Sequence, residues 1–107
     1  GHKLPEGADV SSVTPAVEYT KHNPRGWGYI IAFTATAPAI RQYVTEHTIH
    51  LGDIIENYSS AEPGDVQLSD LNFDEISNPW DTGIPDGVLV LERPLGRGLL
   101  IINCSSR

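Results

Sequence analysis

The sequence predicts an α+β domain: a mostly antiparallel sheet of about four strands in the order β-β-α-β-β, with one helix packed on a face and a long acidic loop. Three observations lead there. An alternating run, Tyr29–Thr36, passes through Pro38 into apolar residues at helical spacing. Two apolar runs, Val88–Glu92 and Leu99–Cys104, close the chain. Between helix and hairpin, residues 59–85 are acidic, rich in turn formers and without a period. At 107 residues the chain has room for one core. A hydrophobic share of 39% places it among globular rather than disordered sequences.

Residues 1–12 read as a flexible tether or a processing remnant, and 13–107 as the single domain. Gly1-His2 has the character of a tag scar, and with no methionine in the chain Gly1 is read as other than the translated start. Val13–Thr20 alternates weakly and fits an edge strand, where Pro15 is tolerated. His22–Gly28 is a turn-rich connection. In the next strand Tyr29, Ile31, Phe33 and Ala35 share one face, and Ile30, Ala32, Thr34 and Thr36 the other.

Pro38 suits the first turn of a helix, where its missing N–H costs nothing. Ile40, Tyr43, Val44, His47 and Leu51 then fall on one helical face, which Gly52 should end. Residues 53–58 form a further short element whose type the pattern leaves open, and a helical turn is expected near Asp70–Ile76. The two terminal apolar runs, joined by residues 93–98, read as a β-hairpin central to the sheet. Cys104 is the only cysteine, so an internal disulfide is excluded, and its place behind an apolar run marks it as a small buried hydrophobe.

Charge is divided unevenly along the chain. No lysine or arginine occurs from Gln42 to Glu92, while that window carries eleven acids. Elsewhere seven bases meet three acids, and the whole chain has a net charge of −7. Such a balance argues against nucleic acid and anionic membrane surfaces, which select a basic stripe. It points instead to a protein or basic ligand meeting an acidic surface, with Glu62, Asp65, Asp70, Asp74 and the loop tryptophan Trp80 as contact residues. The competing explanation is a solvated loop whose acids confer solubility. No run approaches the roughly 18 to 20 apolar residues of a membrane-spanning helix.

Chemistry-bearing motifs are sparse. His47 and His50 are three residues apart, and on a continuing helix they could share a divalent metal with Glu46 or Asp53. They lack the spacing and the intervening glutamate of HExxH, and His47 on an apolar face is equally a core histidine. The acids between Asp65 and Asp86 do not follow the EF-hand pattern. Asp81-Thr82-Gly83 spells the aspartic-protease triplet, but it follows Asn78-Pro79-Trp80 and reads better as a turn leading into a second turn. No P-loop, GxSxG or dinucleotide fingerprint is present, and no cofactor is implied.

The stretch GYIIAFTATAPAIRQYV (28–44), a strand passing through Thr-Ala-Pro into an amphipathic helix, together with GVLVLERPLGRGLLIINCSS (87–106), resembles small exported bacterial lipoproteins. The resemblance is one of patterning and covers about half the chain. It implies an extracytoplasmic domain, membrane-anchored through a removed N-terminal segment, in a family largely without assigned activities. The expected function is therefore a non-enzymatic binding or interaction module. The alternatives are a metal protein using His47 and His50, and a structural domain of a larger assembly.

Overall fold

A continuous apolar run puts apolar side chains on both faces of its strand, so neither face can be left to solvent. The terminal runs are of this kind, and the sheet is built around them. In the computed structural model, which describes residues 4–16, 26–60, 75–84 and 87–105, the elements are β1 (Asp9–Pro15), β2 (Gly26–Thr34), α1 (Ala37–His47), a 3₁₀ helix η1 (Gly52–Asn57), β3 (Trp80–Ile84), β4 (Gly87–Leu91) and β5 (Arg97–Ser105). The described strands form one five-stranded sheet in the order β1-β2-β5-β4-β3, with every neighbour antiparallel.

The α+β class and the terminal hairpin stand as expected, but there are five strands rather than four. The additional strand is β3, within the acidic stretch read as loop. Asp81-Thr82-Gly83 is therefore strand, paired with Val90, Leu89 and Val88, and not a turn. Turn-forming side chains conceal the period of two here. Trp80 and Thr82 are buried on one face, and the apolar partner strand overrides the local propensity of Asp and Gly. The first strand also begins earlier than its alternation suggests, at Asp9 inside the segment read as tether. Residues 17–25, the expected turn over residues 70–74 and the side chains of Trp27 and Cys104 lie outside the described residues.

Register fixes the two faces. Trp80, Leu91, Gly98 and Phe33 lie in one row across the sheet, and Thr82, Leu89, Leu100 and Ile31 in the next. On this first face Phe33, Trp80, Leu89, Leu91, Leu100 and Ile102 pack against Ile40, Tyr43 and Val44 of α1 and Ile55 of η1. The second face carries Ile30, Val88, Val90 and Ile101, with Ala16, Ile76 and Leu99 against them. Burial on both faces is why β4 and β5 are continuous apolar runs. Each fully buried Leu or Ile contributes about 1.5–3 kcal/mol.

Helix α1 starts where Thr36, at its N-cap, accepts a hydrogen bond from the Ala39 amide (3.4 Å), with Pro38 in the first turn. It stops sooner than the apolar spacing suggests. Thr48 satisfies the Val44 carbonyl twice, through its amide (3.0 Å) and its hydroxyl (2.7 Å), and the chain leaves the helix there. His47 thus sits in the last turn and is exposed, and Leu51 lies outside the helix at 58% exposure.

Gly52 then lets η1 lie directly on α1, since a Cβ there would stand 1.9 Å from the Arg41 carbonyl oxygen. Arg41 clasps the two elements together by donating to the Gly52 carbonyl (3.0 Å) and both oxygens of Glu56.

The second tie is Arg93, which is 5% exposed. Its Nε donates to the Asn78 carbonyl (2.8 Å) and its Nη1 to the carbonyls of Ile55 (2.9 Å) and Tyr58 (2.6 Å). Its Nη2 donates to Ser60 Oγ (3.1 Å) and Asn78 Oδ1 (2.8 Å). One guanidinium thereby joins η1, the irregular segment following it and the segment entering β3. Asn78 has a φ of 41°, a left-handed conformation that asparagine tolerates better than most residues.

Two outcomes are expected. Arg93→Met leaves a buried acceptor at Ile55 and part-buried ones at Tyr58, Ser60 and Asn78 without this donor, and should lower the unfolding free energy by about 3 kcal/mol, measured by urea denaturation. Arg93→Lys should recover only part of that loss, because one ammonium cannot span the same acceptors. The hydrogen bonds from Arg41 lower the Glu56 carboxyl from 4.5 to about 2. With the folded value below the unfolded one, the clasp stabilises the fold above pH 4.5 and its contribution is lost as pH falls toward about 2. The gap in urea midpoint between wild type and Glu56→Gln should therefore be constant at neutral pH and close across that acidic range.

Candidate functional site

The second face of the sheet is not covered evenly. Towards β1 it opens into a cleft of about 340 Å³, at the small end of the range typical of small-molecule sites. Its apolar lining comes from Ile30 and Ala32 of β2, Val90 of β4, Leu99 of β5, and Ile76. The polar lining on the β1 side is Ser11, Ser12 and Thr14.

A regular strand would send Ser11 and Ser12 to opposite faces. A register shift between Val10 and Ser12 interrupts the β1–β2 pairing, and both serines border the cleft. Ser11 Oγ donates to the Ala32 carbonyl (3.2 Å) across this irregularity.

Three charged residues complete the lining: Glu75, Glu92 and Arg97. Arg97 donates to Glu92 from Nε (2.6 Å) and Nη2 (2.7 Å), a two-point pair. Glu92 also accepts the Ser77 amide (3.1 Å), which ties the 75–78 segment to the β4–β5 connection. The hydrogen bonds from Arg97 hold the Glu92 carboxyl below the ordinary carboxylate range, and Glu92 in turn raises the Arg97 guanidinium. Among the described residues Glu75 has no hydrogen-bonding or ionic partner and is exposed. Among the described residues, two carboxylates and one guanidinium thus leave the cleft with one uncompensated negative charge, located at Glu75.

Of the residues singled out by sequence, the described ones fall elsewhere. Glu62, Asp65, Asp70 and Asp74 lie outside the described residues. Trp80 is 4% exposed and belongs to the core of the first face, its ring stacked on Tyr58 at 5.2 Å. The structure does not bring His47 and His50 together as one helical face. Because α1 ends at His47, the one-turn spacing that would have juxtaposed them is absent. His47 lies against Tyr43 (4.6 Å between ring centroids). His50 stands edge-on to both Tyr58 (5.0 Å) and Trp80 (5.3 Å), and its Nδ1 is 2.9 Å from Thr82 Oγ1. Among the described residues no three His, Cys, Asp or Glu side chains converge as metal ligands.

Sequence reasoning missed the cleft because two residues of its polar wall, Ser11 and Ser12, fall in the segment read as tether. The available signal was Val10 and Val13 bracketing two serines, a strand pattern broken by one extra residue.

The arrangement of His50 generates its own test. His50→Ala removes the partner of the buried Thr82 hydroxyl and an edge contact to two rings, and should cost about 1–3 kcal/mol of stability. His47→Ala, at the exposed helix end, should stay within about 0.5 kcal/mol of wild type. Paired thermal melts separate this structural role for His50 from a shared metal site, in which both substitutions would abolish the same metal response.

No family model matches the chain, and neither a curated protein nor a solved structure matches it. The chemistry of the cleft therefore rests on its own residues.

Proposed function

We propose that this domain is a binding module whose ligand occupies the cleft on the second face of the sheet, with the chain's net negative charge favouring what approaches. The observation that carries the reading is the cleft's composition. An apolar lining from Ile30, Ala32, Val90 and Leu99 meets hydroxyls on one side and charged groups on another, the combination that buries a small ligand and fixes its orientation. Glu75 and Glu92 belong to the base-free window of the sequence and also line the cleft. An extracytoplasmic setting belongs to the same proposal. It is supported by the likeness in patterning of residues 28–44 and 87–106 to exported lipoproteins.

The test is to fill the cleft. Ala32 is small, half-buried and part of the lining, so Ala32→Phe places a ring in the ligand's volume. With the neutral fluorescent probe N-phenyl-1-naphthylamine, wild type should bind saturably and Ala32→Phe at least about tenfold more weakly. Melting curves would establish that the variant is folded. Equal binding by both proteins, or none by wild type, would remove the cleft as the binding site.

A further inference from the structure

We infer that the cleft takes an amphipathic amine, with an apolar body over Ala32, Val90 and Leu99 and its ammonium group against Glu75. This rests on the reading of the cleft as the binding site and adds the charge of the ligand to it. The three charged residues of the cleft are not equivalent. Arg97 is held by Glu92 through two short hydrogen bonds, so it has little positive charge to offer an anion. The Glu92 carboxylate already accepts from Arg97 and from the Ser77 amide. Glu75 remains, exposed and unpartnered among the described residues, at the edge of an apolar cavity.

An anionic ligand would meet this carboxylate uncompensated, and a neutral one would leave it unused. A cation gains an ion pair there, and the eleven acids of the Gln42–Glu92 window favour its approach through their summed field. The volume of about 340 Å³ limits the occupant to a small molecule or one side chain of a larger one.

The experiment compares three ligands of one chain length: octylammonium, octanol and octanoate, each displacing N-phenyl-1-naphthylamine from the full chain at low ionic strength. Octylammonium should displace the probe at about fivefold lower concentration than octanol, the advantage of one exposed ion pair, and octanoate should be the weakest. Glu75→Gln should bring octylammonium to the level of octanol while leaving octanol unchanged. Glu56→Gln, an acid on the opposite side of the sheet, should keep the preference.

An ammonium advantage that is absent, or that survives Glu75→Gln, overturns the amine assignment while the cleft remains a binding site for octanol. An advantage lost equally in both variants reduces it to net charge and overturns it as well. If neither the probe nor any of the three ligands binds wild type, the binding-cleft reading falls and takes this inference with it.

Discussion

A buried guanidinium holds the periphery of this fold to its sheet. Arg93 has five N–H donors, and all of its bonds go to acceptors in segments that share no ladder with one another: the end of η1, the chain after it, and the turn into β3. Helix termini and irregular segments leave carbonyls without partners, and at a packed surface each would cost about 1–3 kcal/mol. Arg93 meets that need with one side chain. Two further features depend on it. Tyr58, whose carbonyl it holds, stacks on Trp80 and completes the first core. Asn78 and Ser77, which it fixes by side chain and backbone, lead back to Ile76 and Glu75 beside the cleft.

The two arginines that bracket the base-free window both turn into it. Arg41 reaches Glu56 and the Gly52 carbonyl from one end, and Arg93 reaches the backbone on either side of the undescribed stretch from the other. A window with eleven acids and no bases repels itself. Its described parts are anchored through backbone carbonyls and through two ion pairs, Glu56 with Arg41 and Glu92 with Arg97. Glu46 accepts from Gln42, while Glu75 is left facing solvent.

The sheet divides its two faces in a related way. On the first face α1 and η1 cover β2, β5, β4 and β3, and the close approach at Gly52 lets them pack as one layer. On the second face no described helix covers the strands. Among the described residues, Ala16 and Ile76 supply part of the cover, and beside them lies the cleft. Central strands form its floor, so the apolar lining is rigid. The polar wall is an irregular edge strand, where an extra residue can be accommodated without disturbing the core.

The amino-acid sequence by itself determined the parts of this protein that depend on local spacing. The period of two in Tyr29–Thr34, the helical spacing of Ile40, Tyr43 and Val44, and the apolar runs of β4 and β5 each specify an element through their own side chains. Those elements suffice for the α+β class and for the terminal hairpin. The tertiary structure decided the rest, because it depends on partners distant in sequence. Trp80-Asp81-Thr82-Gly83 is a strand because Leu89–Leu91 pairs with it, whereas its own residues favour turns. The helix ends at His47, where Thr48 turns to an extended conformation while holding the Val44 carbonyl, and this separates two histidines that a continuing helix would have aligned. Ser11 and Ser12 border a cleft because β1 pairs irregularly with β2, and Glu75 joins them because Arg93 and Glu92 hold its neighbours. Hydrophobic period can be read along a chain, but a site assembled from four segments exists only once long-range hydrogen bonds have set their relative positions.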